Sequence, residues 1–245
     1  MKCIENWALL GVRRSGGAPS RHRVRRGLAG WCIAVLCLVL AACNSGETGN
    51  SGETGHAIDV SGHFPSLRFS LTRARDGDAV TADDYKGKVV LVYFGYTNCP
   101  DACPTTLLDL AEVLKRLSGD ADKVRVLFVT VDPTRDTLAV LKRYAALFAP
   151  QVDALRGSED EVADLARRYR IAYSVTKATN GHPYEVSHSG SVYVFDGSGA
   201  ARLLVPGLVA SHDIDGIAED LDRIIAQEAG PPTAAGLADR LRGLL

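Results

Sequence analysis

The spacing of apolar residues changes period several times along this chain. Leu67-Arg68-Phe69-Ser70-Leu71 alternates apolar with polar, which predicts a half-buried strand. Thr81-Ala82-Asp83-Asp84-Tyr85 predicts a helical turn. Val89-Val90-Leu91-Val92-Tyr93-Phe94 is continuously apolar, the pattern of a strand covered on both faces. Leu107, Leu110, Ala111, Leu114 and Leu117 then recur at helical spacing. Val124–Val131 predicts a second central strand. Asp136 or Thr137 stands where a cap is needed for a helix striped by Leu141, Tyr144, Ala145 and Phe148. Ser158 and Glu161 have capping-box spacing ahead of Val162, Leu165, Ala166 and Tyr169. Ser191–Phe195 and Ala201–Val205 flank Asp196-Gly197-Ser198-Gly199 and predict a hairpin. Ile214, Ile217, Ala218, Leu221 and Ile224 mark a closing helix.

Strands alternating with helices and ending in a hairpin and a helix predict an α/β domain. Its expected form is a thioredoxin-like fold, with a central mixed sheet flanked by helices and a β-hairpin near the C-terminal end. This domain is assigned to residues 57–228. Pro231-Pro232 ends the last helix, and residues 229–245 form a tail in which Leu237, Leu241 and Leu244 allow a short helix.

The amino terminus has a different character. Arg21, Arg23, Arg25 and Arg26 precede a short apolar run from Gly27 to Ala42, the pattern of an export signal. The run is short for a membrane span, which needs about 20 residues. It ends in Leu40-Ala41-Ala42-Cys43, which resembles a bacterial lipobox. Residues 1–42 are therefore expected to be a lipoprotein signal peptide, with lipidation at Cys43. The alternative is an uncleaved membrane anchor. Asn44–Gly49 is repeated as Asn50–Gly55. So polar and glycine-rich a stretch buries no core, and residues 43–56 read as a flexible tether. The expected location is the cell envelope, facing the periplasm on a lipid anchor.

Charge adds an exclusion. The formal net charge of the chain is -1, but residues 1–42 hold Lys2 and six arginines against Glu5. The remainder carries a net charge of -7. So acidic a domain argues against nucleic-acid binding, which needs a basic face.

Cysteine placement points to the chemistry. Cys3, Cys32 and Cys37 fall in the export segment, and Cys43 at its end. Only Cys99 and Cys103 remain as thiols of a mature form. A disulfide-stapled fold shows more pairs at wider spacing, so one close pair indicates a working site. The pair follows the apolar strand, where ligands collect in open α/β sheets. Pro104 suits the first turn of the next helix. A helix start favours negative charge, so at least one thiol is expected to have a lowered pKa. Residues four apart on a helix share a face with Cβ atoms ~5–6 Å apart, close enough for a disulfide or one metal ion. Thioredoxin-type oxidoreductases place two residues between their cysteines, and this chain has three.

Two thiolates leave a metal site incomplete, so the histidines matter. His22 is in the export segment, His56 in the tether, His63 at the domain entry and His212 at the last helix. His182 lies in the loop Thr176–Tyr184. His188 stands just before the strand Ser191–Phe195, and in a thioredoxin-like sheet that loop passes beside the cysteine loop. Two soft sulfurs and one imidazole suit Cu(I), or Cu(II) with a further weak ligand. Structural zinc wants four ligands.

With these residues in view, the chain resembles the Sco/SenC family of thioredoxin-fold copper chaperones over about Asp59–Ala226. The resemblance rests on Gly62-His63-Phe64, Tyr85–Leu91, Phe94–Thr106 around the two cysteines, Val131–Thr137 and Ser187-His188-Ser189. It implies that Cys99, Cys103 and His188 are copper ligands. It also implies a role at the copper A site of cytochrome c oxidase subunit II, by delivering copper or by keeping its thiols reduced. Other periplasmic copper carriers or thiol reductants are further partners it allows. Asp132 matches the aspartate of the family's Val-Asp-Pro turn, as a support of the metal loop or simply as a turn residue. Thr97-Asn98-Cys99 departs from relatives with histidine before the first cysteine, and Thr176–Tyr184 has few of the acids often found there. The competing reading is an exported thiol-disulfide oxidoreductase or thiol peroxidase, with Cys99 and Cys103 as a redox-active pair.

Overall fold

The computed structural model describes residues 56–117 and 119–229. The export segment, Cys43, the repeats to Gly55 and the tail from Gly230 onward lie outside the described residues. In chain order the strands are β1 (Ile58–Asp59), β2 (Ser70–Arg73), β3 (Ala79–Thr81), β4 (Val89–Gly95), β5 (Val124–Thr130), β6 (Val152–Arg156), β7 (Tyr173–Thr176), β8 (Glu185–His188), β9 (Val192–Phe195) and β10 (Ala201–Val205). The helices are α1 (Ala102–Arg116), α2 (Leu138–Ala145), α3 (Glu159–Arg168), α4 (Leu208–Ser211) and α5 (Ile214–Ala229). None of them is long and apolar enough to cross a membrane.

Eight strands form one mixed sheet in the order β1-β10-β9-β4-β5-β6-β2-β3. β4, β5 and β6 are parallel, and the outer pairings are antiparallel. The continuous apolar run of β4 serves two cores. Val89, Leu91 and Tyr93 face one layer with α1 and α5, while Val90, Val92 and Phe94 face the other with α3. Both faces are thereby covered, as the run predicts.

This topology brings three segments to one end of the sheet. β4 and β5 run parallel, with Gly95 opposite Thr130, so both leave the sheet at the same edge. β9 runs antiparallel to β4, with Val192 opposite Tyr93, so the chain entering β9 arrives at that edge too. The cysteine loop, the Asp132 turn and the approach to β9 therefore converge.

Local signals account for most elements. Ser158 and Glu161 close the capping box of α3, with Ser158 N donating to Glu161 Oε2 at 2.7 Å and Glu161 N to Ser158 Oγ at 3.2 Å. Of the two cap candidates for α2, Thr137 accepts the Val140 amide. Asp136 turns inward instead. The hairpin β9–β10 forms as its turn residues predict.

Three segments differ from the sequence pattern. Pairing in β2 begins at Ser70 rather than Leu67. Upstream, the chain is held by Tyr169, whose hydroxyl accepts from Arg68 N at 3.0 Å and donates to Ser66 O at 2.9 Å. β6 is a third parallel strand, masked in the sequence by Asp153. That carboxylate is buried and accepts from the Tyr85 hydroxyl at 3.1 Å, with Arg75 3.2 Å away. Finally, β7 and β8 form a small sheet of their own between α3 and β9.

Candidate metal centre

β4 ends at Gly95, and the loop Tyr96–Asp101 turns the chain into α1. Cys99 N donates to Tyr96 O at 3.2 Å, which folds the loop back on itself. Cys103 lies in the first turn of α1, with Pro104 beside it. The two cysteines do not share a helical face, because Cys99 precedes the helix. Its Sγ instead accepts the Cys103 amide at 3.3 Å, taking the place of a side-chain cap. Asp101, the residue before the helix, makes no side-chain cap. Both cysteines are free thiols, Cys103 buried and Cys99 half-buried.

Gly95 makes this packing possible. A Cβ there would stand 2.6 Å from Phe128 Cε2 and 2.9 Å from Cys103 Sγ. The absent side chain is the space that the buried sulfur occupies.

His188, the last residue of β8, completes the group. Its Nε2 lies 3.1 Å from Cys103 Sγ, and its Nδ1 lies 2.9 Å from the Ser189 carbonyl oxygen. A carbonyl only accepts, so Nδ1 carries the proton and Nε2 presents its lone pair to the sulfurs. Tyr93 and Tyr96 meet the imidazole edge-on, with ring centroids 6.0 and 5.8 Å away. The ligand atoms of Cys99, Cys103 and His188 all lie within 4.8 Å of one another. Among the described residues this is the one group of three or more such side chains with metal-binding spacing.

The electrostatics fit a neutral resting site. Burial pushes the Cys103 thiol up to about 12. Burial also lowers the His188 pKa, opposed by its hydrogen bond to Ser189. A protonated thiol donating to a neutral imidazole satisfies both groups. The sequence led us to expect a lowered pKa for at least one of the two thiols; at Cys103 burial raises it instead.

A model of the SCO1/SenC family matches residues 64–226. The chain belongs to the SCO1/SenC family. The mouse protein SCO2 homolog, mitochondrial, is 37% identical over 145 residues, which cover 58% of this chain and 56% of that protein. The chain spans about half the length of the curated relatives it matches first. The structure of Bradyrhizobium japonicum ScoI with copper bound is 37% identical, with a TM-score of 0.56, covering 65% of this chain and 98% of that one. BsSco, a member of the Sco family of cytochrome c oxidase assembly proteins with an identified disulfide switch, is 25% identical with a TM-score of 0.55. That match covers 69% of this chain and 96% of BsSco. The thioredoxin-like architecture of these Sco structures is the fold that the sequence predicts.

The Sco domain places the other sequence candidates as follows. Asp132 is buried at 1% exposure, accepts the Tyr184 hydroxyl at 2.7 Å and pairs with Arg135. It stands apart from the ligand group. His182 is exposed at the tip of the β7–β8 hairpin, facing Thr179. His63 meets Ser61 O, His56 pairs with Asp213, and His212 pairs with Asp109. Two residues beside Asp132 also tie the loops at this end of the sheet together. Asp136 accepts from Thr97 and Thr130, and Arg135 stacks on Tyr184. No periodicity announces the Asp136–Thr97 and Arg135–Tyr184 contacts, since each spans a long stretch of chain.

Proposed function

We propose that this protein is a copper-binding metallochaperone of cytochrome c oxidase assembly, with Cys99, Cys103 and His188 as its copper ligands. The observation that carries the reading is the meeting of two sulfurs and one imidazole nitrogen within 4.8 Å. Soft thiolates with an imidazole favour copper over hard cations. The carbonyl of Ser189 fixes the tautomer that leaves Nε2 free, the kind of outer support that ligating histidines use. Cys99 and His188 are half-buried, so an incoming or departing ion has a path. When bound, copper would supply a transferable cargo rather than a catalytic group. The finer reading is delivery to the copper A site of subunit II. On the same reading, residues 1–42 are removed, Cys43 carries lipid, and residues 43–56 tether a 57–228 domain to the periplasmic face of a membrane.

The test is copper stoichiometry and spectroscopy on the purified protein. One copper per chain, with sulfur-to-copper charge transfer and nitrogen coupling, is expected for wild type. Cys99→Ala and Cys103→Ala should abolish the charge-transfer bands. His188→Ala should keep sulfur binding but lose nitrogen coupling. Wild-type affinity in His188→Ala would sink the three-ligand site.

A second reading has its own support. Cys99 Sγ accepts the amide of Cys103, so the sulfurs are already adjacent, and both are free thiols. Oxidation of this pair to a disulfide would supply the two electrons that reduce a disulfide of a partner subunit to two thiols. Copper-free reduction of an oxidised copper A peptide, lost in Cys99→Ala, is the discriminating assay.

A further inference from the structure

The hairpin carrying His188 is lightly anchored. No residue from Ala172 to Ser191 is fully buried, and β7–β8 stands apart from the main sheet. Tyr173 and Val186 rest partly buried on the core, and Ser189 N donates to Ala172 O at 2.9 Å across the neck. A further anchor is Tyr184, one residue before β8.

Tyr184 is held on two sides. Its hydroxyl donates to Asp132 Oδ1 at 2.7 Å, while Asp132 Oδ2 takes Arg135 Nε. The Arg135 guanidinium carbon stands 3.8 Å from the centre of the Tyr184 ring. The same carbon is 6.0 Å from the centre of Tyr96, whose ring meets His188 edge-on. One guanidinium therefore stacks on the turn leading into His188 and lies at cation–π range from the loop leading into Cys99.

We propose that Arg135, fixed by Asp132, is a positioning residue that clamps the His188 hairpin to the cysteine loop and keeps the imidazole within reach of the sulfurs. This rests on the ligand reading given above. A planar guanidinium stacks on one ring while bonding a carboxylate at its edge, which a lysine ammonium does not reproduce. Removing it also leaves the Asp132 carboxylate buried without its cation. The clamp breaks where the hairpin has no buried side chain to hold it.

The test uses two readouts. In metal-free protein, Arg135→Ala should raise amide hydrogen exchange across 173–188 while β4 and β5 stay protected. In copper-loaded protein, Arg135→Ala should speed transfer of Cu(I) to bicinchoninate by about tenfold, the scale of losses from supporting residues. In a His188→Ala background the same change should add nothing. Tyr184→Phe removes one hydroxyl and keeps the ring, so it carries both comparisons if Arg135→Ala does not fold. Unchanged hairpin exchange, or an equal acceleration without His188, would overturn the clamp. Wild-type transfer from His188→Ala alone would instead overturn the ligand assignment, and hydrogen exchange would still judge the clamp.

Discussion

The carboxylate of Asp136 reaches Thr97, 39 residues earlier, and accepts both its amide at 3.0 Å and its hydroxyl at 2.5 Å. The Thr130 hydroxyl adds a third bond at 2.6 Å. Asp136 and Thr130 are buried, at 1% and 0% exposure, so that bond has no water to replace it, whereas Thr97 is half-buried. Thr97 is two residues from Cys99, and the latch therefore sets where the sulfur loop begins. Asp136→Ala should cost about 2–3 kcal/mol, since it strands the buried Thr130 hydroxyl and removes two further bonds from half-buried Thr97. It should also loosen the loop, so that Cys99 alkylates faster in the metal-free protein. Thr137→Ala, which removes the real cap of α2, should cost only about 1 kcal/mol and leave alkylation unchanged. Urea unfolding and iodoacetamide kinetics on the two variants measure the contrast.

Gly95 gives a steric prediction. A methyl group there would press on Phe128 at 2.6 Å and on Cys103 Sγ at 2.9 Å. Both neighbours are fully buried, so neither yields freely. Gly95→Ala should lose about 1–3 kcal/mol by overpacking and weaken copper binding by displacing the sulfur. Gly190, two residues past His188, faces open space, and a methyl group there would meet nothing within 4 Å. Gly190→Ala should therefore leave copper affinity as it is. Isothermal copper titration of both variants, beside thermal melts, separates packing at the sulfur from a general loss near the site.

The chemistry of the site was more legible than its support. Cys99 and Cys103 stand out because the strand before them is so apolar and the helix after them so regular. His188 follows from topology, since β9 pairs with β4 and must begin beside the end of β4. β6 escapes a reading by pattern because Asp153 interrupts its apolar positions, and only the fold supplies Tyr85 and Arg75 as its partners. The hairpin β7–β8 did leave a signal. Tyr173 and Val175 alternate with polar residues, as do Val186 and His188, and Asn180-Gly181 between them is a turn pair with Gly181 at φ 99°. Arg135 and Asp136 leave no comparable sign of their long-range contacts. Tyr184 and Thr97 lie on other segments, so these roles appear only once the loops at this end of the sheet are assembled.

The buried thiol of Cys103 makes stability and copper binding respond to alkali in opposite directions. Its pKa is raised from 9.0 to about 12 by burial. Below pH 9 the folded and unfolded chains both keep this proton, and the contribution to stability is complete. Above pH 9 the unfolded chain releases it while the folded chain retains it, so stability falls as pH rises towards 12. The slope approaches ~1.4 kcal/mol per pH unit for one proton. Copper must displace that same proton, so its apparent affinity should climb with pH, by about tenfold per unit for each proton released. The check is urea unfolding of metal-free wild type and Cys103→Ala between pH 8 and about pH 10.5, because the difference between the two cancels the tyrosines and lysines that also titrate there. Curves that stay parallel across this range would remove Cys103 as the source. A diverging pair, together with proton release on copper addition to weakly buffered protein, would fix the resting site as a neutral thiol hydrogen-bonded to a neutral imidazole.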